Sequence, residues 1–126
     1  MSPRSFRLGR AGRWAMALAY VGVIFTLSAQ PYLGTPFHFN NGDKVAHTLE
    51  YGGLAVLLVL AVRGDRRWDR PLAGALLALA LGLGIGICDE NFQRLIPGRD
   101  CSLLDWMADA GGSILGQLLY LAIRRA

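Results

Sequence analysis

The chain alternates between four long apolar blocks and short polar segments. The blocks cover residues 14–29, 45–62, 71–88 and 103–123. Each is close to the roughly 20 residues that an α-helix needs to cross about 30 Å of hydrocarbon. The pattern therefore predicts an all-α, integral membrane four-helix bundle, with helices approximately over residues 14–30, 44–62, 71–90 and 103–123. Because the connections are short, we expect consecutive helices to be antiparallel neighbours.

The composition places the chain outside the range of ordinary soluble domains. Of its 126 residues, 53% are hydrophobic and only 17% are charged, and the mean hydropathy is +0.35. Neither an internal repeat nor a low-complexity linker interrupts the pattern, so a single domain spanning residues 1–126 is predicted. Small residues recur at every fourth position in the third and fourth blocks, and such stripes let membrane helices approach closely.

Positive charge is concentrated in the segments that flank the blocks on one side. Ten of the thirteen basic residues lie there: Arg4, Arg7, Arg10, Arg13, Arg63, Arg66, Arg67, Arg70, Arg124 and Arg125. Because lysine and arginine resist translocation, both termini are predicted to be cytoplasmic. The sequence pI of about 9.6 then reflects topology and attraction to anionic lipid. We therefore expect membrane lipid, and no nucleic acid, as a partner.

The N-terminal arginines and the apolar block that follows them also resemble a secretory signal peptide. A cleavage site near Leu27-Ser28-Ala29 would place Leu27 where small residues are usual, which favours a retained first helix. The three remaining helices would keep the same orientation in either case.

Seven of the nine carboxylates belong to the opposite, outward side of the predicted bundle. Asp43, His47 and Glu50 share one face of the second helix, because they are spaced at i, i+4 and i+7. An ionisable group at the centre of a membrane helix costs about 2.5 to 3.5 kcal/mol, so such side chains should face the bundle interior. We expect a ring contributed by three helices, which holds Asp43, His47, Glu50, Asp89, Glu90, Asp105 and Asp109.

Helix ends use the same residue types for purely structural reasons. Asp43 is a candidate N-cap, and Ser102 with the carboxylate three residues on has the spacing of a capping box. His47 and Glu50 lie inside a helix, where the alternative to a functional role is an interhelical hydrogen-bonded pair. For Asp109 both interpretations stay open.

Lys44 is the only lysine of the chain, and it lies just inside a helix N-terminus, where the helix dipole disfavours a cation. A carboxylate partner such as Glu90 or Asp105 would explain this position, whereas the alternative is a solvated lysine at the membrane interface. Arg99 follows a Pro-Gly turn pair, so its guanidinium is expected over the mouth of the bundle, where its fork suits phosphate or carboxylate.

Cys88 and Cys101 flank the third external loop. In an oxidising compartment they could form a disulfide, and the alternative is two separate thiols at the membrane edge. A zinc site of the cysteine type is not indicated, because the chain has no Cys-x-x-Cys spacing.

Five short motifs occur in order along residues 40–116: Asp43-Lys44-x-x-His47-x-x-x-Tyr51-x-x-Leu54, Asp89-Glu90-x-x-Gln93, Pro97-Gly98-Arg99, Ser102-x-x-Asp105 and Gly112-x-x-x-Gly116. Together they resemble the signature of the VanZ-like family. The joint pattern is far more specific than any single motif. Asp109 departs from it, because an asparagine is expected there in that family.

The resemblance implies a small polytopic protein of the bacterial cytoplasmic (inner) membrane with a role at the cell envelope, and it defines no reaction. The founding member of the family is associated with reduced susceptibility to the glycopeptide teicoplanin. We therefore expect an outward-facing site that binds or modifies a lipid-linked envelope precursor or a lipidated molecule such as a lipoglycopeptide. The candidate site residues are Asp43, Lys44, His47, Glu50, Tyr51, Asp89, Glu90, Gln93, Arg99, Ser102 and Asp105.

Two alternatives from other functional classes stay open. A metal-dependent membrane enzyme would use ligands from the set His47, Glu50, Glu90 and Asp105. A small structural subunit of a larger membrane complex would pack on its partner through the glycine stripes. A proton-coupled transporter is a weaker idea because no inverted repeat is visible. The sequence does not indicate which cofactor, if any, the protein uses.

Overall fold

The computed structural model describes residues 8–31, 41–64, 70–99 and 102–125, with backbone alone for residues 124 and 125. Within these ranges the chain forms four helices and no strand: α1 (Arg10–Ser28), α2 (Gly42–Arg63), α3 (Pro71–Gln93) and α4 (Leu103–Arg125). The predicted all-α, four-helix fold is therefore confirmed.

The helices extend beyond their apolar blocks where polar residues continue the backbone hydrogen bonding. α1 begins at Arg10, four residues earlier than predicted, because the Arg13 amide donates to the Gly9 carbonyl at 3.1 Å. α3 continues to Gln93, three residues further than predicted, because Asp89 and Gln93 are both buried within the bundle. Apolarity thus locates a membrane helix, but local hydrogen bonding and burial decide where it ends.

The N-termini of α2 and α4 are capped in different ways. Asn41 is the N-cap of α2 and has a left-handed backbone with φ of 64°, a conformation that asparagine adopts more readily than most residues. The prediction that Asp43 is the N-cap is wrong, because Asp43 is already the second helical residue and its carboxylate contacts Lys44. Ser102 does cap α4, since its Oγ accepts a hydrogen bond from the Asp105 amide at 3.1 Å.

Consecutive helices run antiparallel, as the short connections predict. Tyr51 of α2 meets Asp89 of α3, and two turns further along α2 Leu58 lies beside Gly82, two turns earlier in α3. The most extensive packing, however, joins two helices that are not consecutive. α2 and α4 lie side by side in parallel, whereas α1 packs on α2 and α3 and makes no contact with α4 within the described ranges.

Two glycines of α4 permit its close approach to α2. A Cβ atom on Gly112 would overlap the Thr48 carbonyl, and a Cβ atom on Gly116 would overlap both the Gly52 carbonyl and the Ala55 side chain. Backbone therefore lies directly on backbone at this interface, which is how small residues allow membrane helices to pack. The predicted small-residue stripe of α4 is thus used inside the bundle.

α1, α2 and α3 are long and apolar enough, by length and composition, to cross a membrane. α4 has the same length as α3, 23 residues, but it is more polar, since it contains Asp105, Asp109 and Gln117. Both carboxylates are buried, and the Gln117 amide donates to the Ala75 carbonyl at 2.9 Å. The exposed large side chains of α4 are leucine, isoleucine and methionine, so its outward side is as apolar as that of its neighbours.

The two ends of the bundle contain different kinds of buried residue. We call the end with the N-termini of α2 and α4 the outer end, and the opposite end the inner end. The buried residues of the inner end are apolar and include Ala17, Leu58, Val62, Ala78 and Tyr120. Most of the buried polar side chains lie at the outer end, and Ser113 is buried between the two ends, beside Gly82. Those of the outer end are Ser28, Asp89, Glu90, Gln93, Asp105 and Asp109.

Candidate functional site

A histidine and two carboxylates from three helices meet at the outer end. His47 of α2 places its Nδ1 atom 2.7 Å from Oδ1 of Asp109 in α4 and 3.9 Å from Oε1 of Glu90 in α3. Asp109 is 1% exposed and Glu90 is 5% exposed, so water has little access to either carboxylate. This arrangement can share a proton between imidazole and carboxylate or supply nitrogen and oxygen ligands to a cation.

A second polar layer lies beside this group and involves α1, α2 and α3. The Tyr51 hydroxyl donates to Oδ2 of Asp89 at 2.9 Å, and the Gln93 amide donates to the same oxygen at 3.5 Å. The Gln93 amide also donates to Oγ of Ser28 at 3.2 Å. Hydrogen bonds to a buried carboxylate hold it in place, so this layer fixes Asp89 next to the histidine group.

Lys44 joins the start of α2 to the start of α4. Its Nζ atom lies 2.7 Å from Oδ1 of Asp105 and 2.8 Å from Oδ2 of Asp43. The predicted carboxylate partner for Lys44 is therefore present, and it is Asp105. The Asp105 side chain is 6% exposed and that of Asp43 is 51% exposed, so the two ion pairs lie in very different surroundings.

Glu50 and Arg99 occupy the margin of the polar cluster. Glu50 is half-buried and lies within electrostatic range of His47, Asp89 and Arg99. Arg99 ends a turn in which its amide donates to the Ile96 carbonyl at 3.2 Å and Gly98 has φ of 77°. That geometry is a type II turn, which requires a glycine at this position, and it holds Arg99 at the outer end as the Pro-Gly pair predicts.

The cluster contains more negative than positive side chains. Five carboxylates, those of Glu50, Asp89, Glu90, Asp105 and Asp109, are buried or half-buried. Their cationic neighbours among the described residues include Lys44, Arg99, Arg94 beside Glu90 and, when protonated, His47. Oδ1 of Asp89 and Oδ2 of Asp109 are buried and accept no hydrogen bond from any described residue. Burial of an unpaired charge costs free energy, so bound protons or a cation would stabilise this end of the bundle.

A groove between α3 and α4 leads from the exterior of the bundle to this cluster. Its volume is about 280 Å³, and Ile87, Leu103 and Trp106 form its apolar wall. Glu90, Asn91, Arg94 and Ser102 provide its polar wall. Ile87 is 49% exposed and Leu103 is 70% exposed, so apolar side chains border the groove where it opens on the exterior of the bundle. It joins an apolar surface to a buried carboxylate.

A comparison of the chain with protein-family models gives a match over nearly its whole length. A family model described as VanZ/LLP1 matches residues 11–124. The chain belongs to the VanZ/LLP1 family. The match includes all four helices except the first residue of α1 and the last residue of α4, and it includes every predicted site residue. A comparison with curated proteins gives no match, and a comparison with solved structures also gives none.

Family membership leaves the composition of the site to be taken from the structure. In this VanZ/LLP1 chain, the described residues that could hold a metal ion together are His47, Glu90 and Asp109. The predicted ligand set contained Glu50 and Asp105 in place of Asp109. Asp105 is instead paired with Lys44, and Glu50 lies at the margin of the cluster, one turn along α2 from His47.

Four further residues of the outer end were absent from the predicted site. Ser28, Asn91, Arg94 and Trp106 contact the cluster or line the groove of the VanZ/LLP1 chain. A helical period could have identified one side of the groove, because residues 87, 90, 91 and 94 share a face of α3. Ser28 lies at the end of the first apolar block, between Thr26 and Gln30, and nothing in the sequence singles it out as the partner of Gln93. Cys101 lies outside the described residues, and Cys88 is an exposed free thiol.

Proposed function

We propose that this protein binds or modifies a lipid-linked or lipidated molecule of the cell envelope at the outer end of the bundle. The observation that carries the proposal is the groove between α3 and α4. It connects exposed apolar side chains, which we propose to face the hydrocarbon, with the buried carboxylate of Glu90, which lies 3.9 Å from His47. A molecule with a hydrocarbon chain and a polar head needs both surroundings in one site.

The two walls of the groove suit the two parts of such a molecule. Ile87, Leu103 and the Trp106 ring offer apolar surface to a chain that enters from the bilayer. Arg94 lies at the polar wall, and a guanidinium is well suited to phosphate or carboxylate on a head group. The Trp106 Nε1 atom is buried and donates to no acceptor among the described residues, so it is available as a donor.

The proposal places the site on the outward face of the bacterial cytoplasmic membrane, with both termini in the cytoplasm. Its basis is the positive-inside distribution of arginines, including those at the two ends of the chain. Fusion of a fluorescent protein or a periplasmic phosphatase after residue 126 tests this orientation. We expect fluorescence and no phosphatase activity, and active phosphatase would contradict the proposed orientation.

Binding to the groove can be tested with a blocking substitution and a control on the same helix. Ile87→Trp fills the groove, whereas Leu76→Trp adds the same ring to an exposed position of α3 three turns away. Teicoplanin and an isoprenoid phosphate serve as the lipidated and lipid-linked probes, each titrated into full-length protein in nanodiscs. For at least one probe we expect Ile87→Trp to weaken binding about tenfold or more and Leu76→Trp to change it less than about twofold.

Controls separate specific binding from partition into the bilayer. Deacylated teicoplanin should bind about tenfold more weakly than the intact molecule, because it loses the chain that the groove would bury. Nanodiscs without protein give the background. Equal binding of both probes to wild type and Ile87→Trp would show that the groove is not the site. In cells, His47→Ala and Glu90→Ala should abolish any reduction in teicoplanin susceptibility that the wild-type protein confers.

A further inference from the structure

We infer that His47, Glu90 and Asp109 form a binding site for one divalent transition-metal cation, with one ligand contributed by each of α2, α3 and α4. The site goes beyond the proposed binding of an envelope molecule and does not depend on it. Asp109 was not among the ligands expected from sequence. Asp109 completes the ligand set, because its carboxylate lies beside His47, whereas the expected ligands Glu50 and Asp105 lie outside the group.

The ligand atoms are already close to the spacing that a cation requires. One atom from each residue lies within 4.8 Å of the other two. Bonds of about 2.0 to 2.2 Å to nitrogen and oxygen separate two ligand atoms by roughly 3 to 4 Å. The Glu90 carboxylate needs only a small side-chain movement toward His47. The 2.7 Å contact between His47 and Asp109 must lengthen by a few tenths of an ångström as the cation replaces their shared proton.

Unsatisfied oxygen atoms provide a second and independent reason to expect a ligand. Oδ2 of Asp109 and Oδ1 of Asp89 are buried without a hydrogen bond from any described residue, and both residues are 1% exposed. Such oxygens are rare in folded proteins unless a water, an ion or a proton satisfies them. A divalent cation would place positive charge against these buried carboxylates, and Asp89 would support it from the adjacent polar layer.

The donor set selects the class of cation. One imidazole nitrogen with two carboxylate oxygens suits Zn²⁺, Mn²⁺ or Fe²⁺ better than Ca²⁺, which prefers six to eight oxygen ligands. Cys88 is exposed and does not belong to the ligand group, so a soft thiolate site is not indicated. Three protein ligands leave coordination positions open, and the groove at Glu90 provides access to them.

The test uses Mn²⁺ and Zn²⁺ with the purified full chain in nanodiscs after chelator treatment. We expect one Mn²⁺ or Zn²⁺ per chain by equilibrium dialysis, and pulsed electron paramagnetic resonance of bound Mn²⁺ should show coupling to a histidine nitrogen. His47→Ala and Asp109→Ala should each weaken binding about tenfold or more. The matched control is His38→Ala, which removes the other histidine of the chain and should leave binding within about twofold.

Wild-type protein alone can decide the matter if a variant fails to fold. Stoichiometric binding with nitrogen coupling supports the site, and a saturating cation should also raise the melting temperature of the wild type. The inference is overturned if neither cation binds, if bound Mn²⁺ shows no nitrogen coupling, or if His47→Ala folds and binds as tightly as His38→Ala. Loss of lipid binding in Ile87→Trp with Mn²⁺ binding intact would separate this site from the groove.

Discussion

The outer and inner ends of this bundle are built from the same four helices but use burial in opposite ways. At the inner end, buried alanine, valine and leucine side chains pack together, and the Arg63 guanidinium lies 5.9 Å from the centre of the Tyr120 ring. At the outer end, Asp89, Gln93 and Asp109 are buried as completely as the leucines. Burial at the inner end stabilises the bundle, whereas burial of ionisable groups costs free energy.

This difference is the reason to propose a function at the outer end. An interhelical hydrogen bond in a membrane is worth about 0.6 kcal/mol on average, which does not offset the burial of several carboxylates. Close packing at small residues fixes a helix interface without burying charge, and this chain has such packing at Gly112 and Gly116. We therefore propose that the carboxylates of the outer end serve a purpose other than stability.

The largest expected effect on stability comes from the glycine contact below the polar cluster. Gly116→Ala forces α4 away from the Gly52 carbonyl, and we expect it to lower the free energy of unfolding by about 3 kcal/mol. Gly111→Ala is the matched control, because a Cβ atom on Gly111 meets nothing within 4 Å. Its higher helix propensity should make Gly111→Ala neutral or slightly stabilising. Denaturing-detergent titration in mixed micelles measures both, and equal losses would contradict close backbone packing.

The next effect should come from the buried side of the Lys44 ion pairs. Lys44→Met leaves the Asp105 carboxylate, 6% exposed, without its cation, and we expect a loss of about 2 kcal/mol. The loss is smaller than for a fully buried pair because the Lys44 side chain is 29% exposed. Adding Asp105→Asn should recover most of the loss in a double-mutant cycle. An unchanged stability of Lys44→Met would show that the pair is solvated.

Tyr51 and Tyr20 allow a charged and a neutral acceptor to be compared. Tyr51→Phe removes the donor at 2.9 Å from the Asp89 carboxylate, and we expect a loss of about 1.5 kcal/mol. Tyr20→Phe removes a hydrogen bond of 2.7 Å to the Glu50 backbone carbonyl, and about 0.6 kcal/mol is expected. Thermal or detergent unfolding distinguishes the two values. If Tyr20→Phe lowers the free energy of unfolding more than Tyr51→Phe does, the charge of Asp89 does not strengthen its hydrogen bond to Tyr51.

The smallest effect is expected at the exposed carboxylate of the Lys44 group. Asp43→Asn should change the free energy of unfolding by less than about 0.5 kcal/mol, because the Asp43 side chain is 51% exposed. The same titration that measures Lys44→Met can measure this variant. A loss approaching that of Lys44→Met would mean that Asp43, and not Asp105, anchors the lysine.

The sequence predicts the fold well because a bilayer leaves few alternatives. Every backbone polar group in hydrocarbon must be satisfied within its own helix, so four apolar blocks indicate four helices. Antiparallel order follows from the short connections. The parallel direction of α2 and α4 follows from that order, but their close packing was not predicted, because it depends on how Gly112 and Gly116 are rotated relative to Thr48 and Gly52. Rotation about a helix axis is a property of tertiary packing.

The site was predicted only in part, because the pairing of side chains also depends on tertiary packing. Periodicity indicates that His47, Asp89 and Asp105 face the bundle interior, and all three reach the polar cluster. It does not indicate which partner each side chain meets. Asp109 contacts His47 at 2.7 Å and Asp105 contacts Lys44 at 2.7 Å, although both carboxylates lie on one face of α4. One helical turn separates these two pairings, which is finer than sequence spacing resolves.

The most direct test of a functional outer end is the stability of a chain in which its central group is made apolar. The variant His47→Leu, Glu90→Met, Asp109→Ala removes the charges and the proton-sharing contact together. We expect its free energy of unfolding in mixed micelles to equal or exceed that of the wild type, because buried ion pairs replaced by apolar residues are often neutral or gain about 1 to 4 kcal/mol. A loss of about 2 kcal/mol or more would contradict the account, since the group would then hold the bundle together.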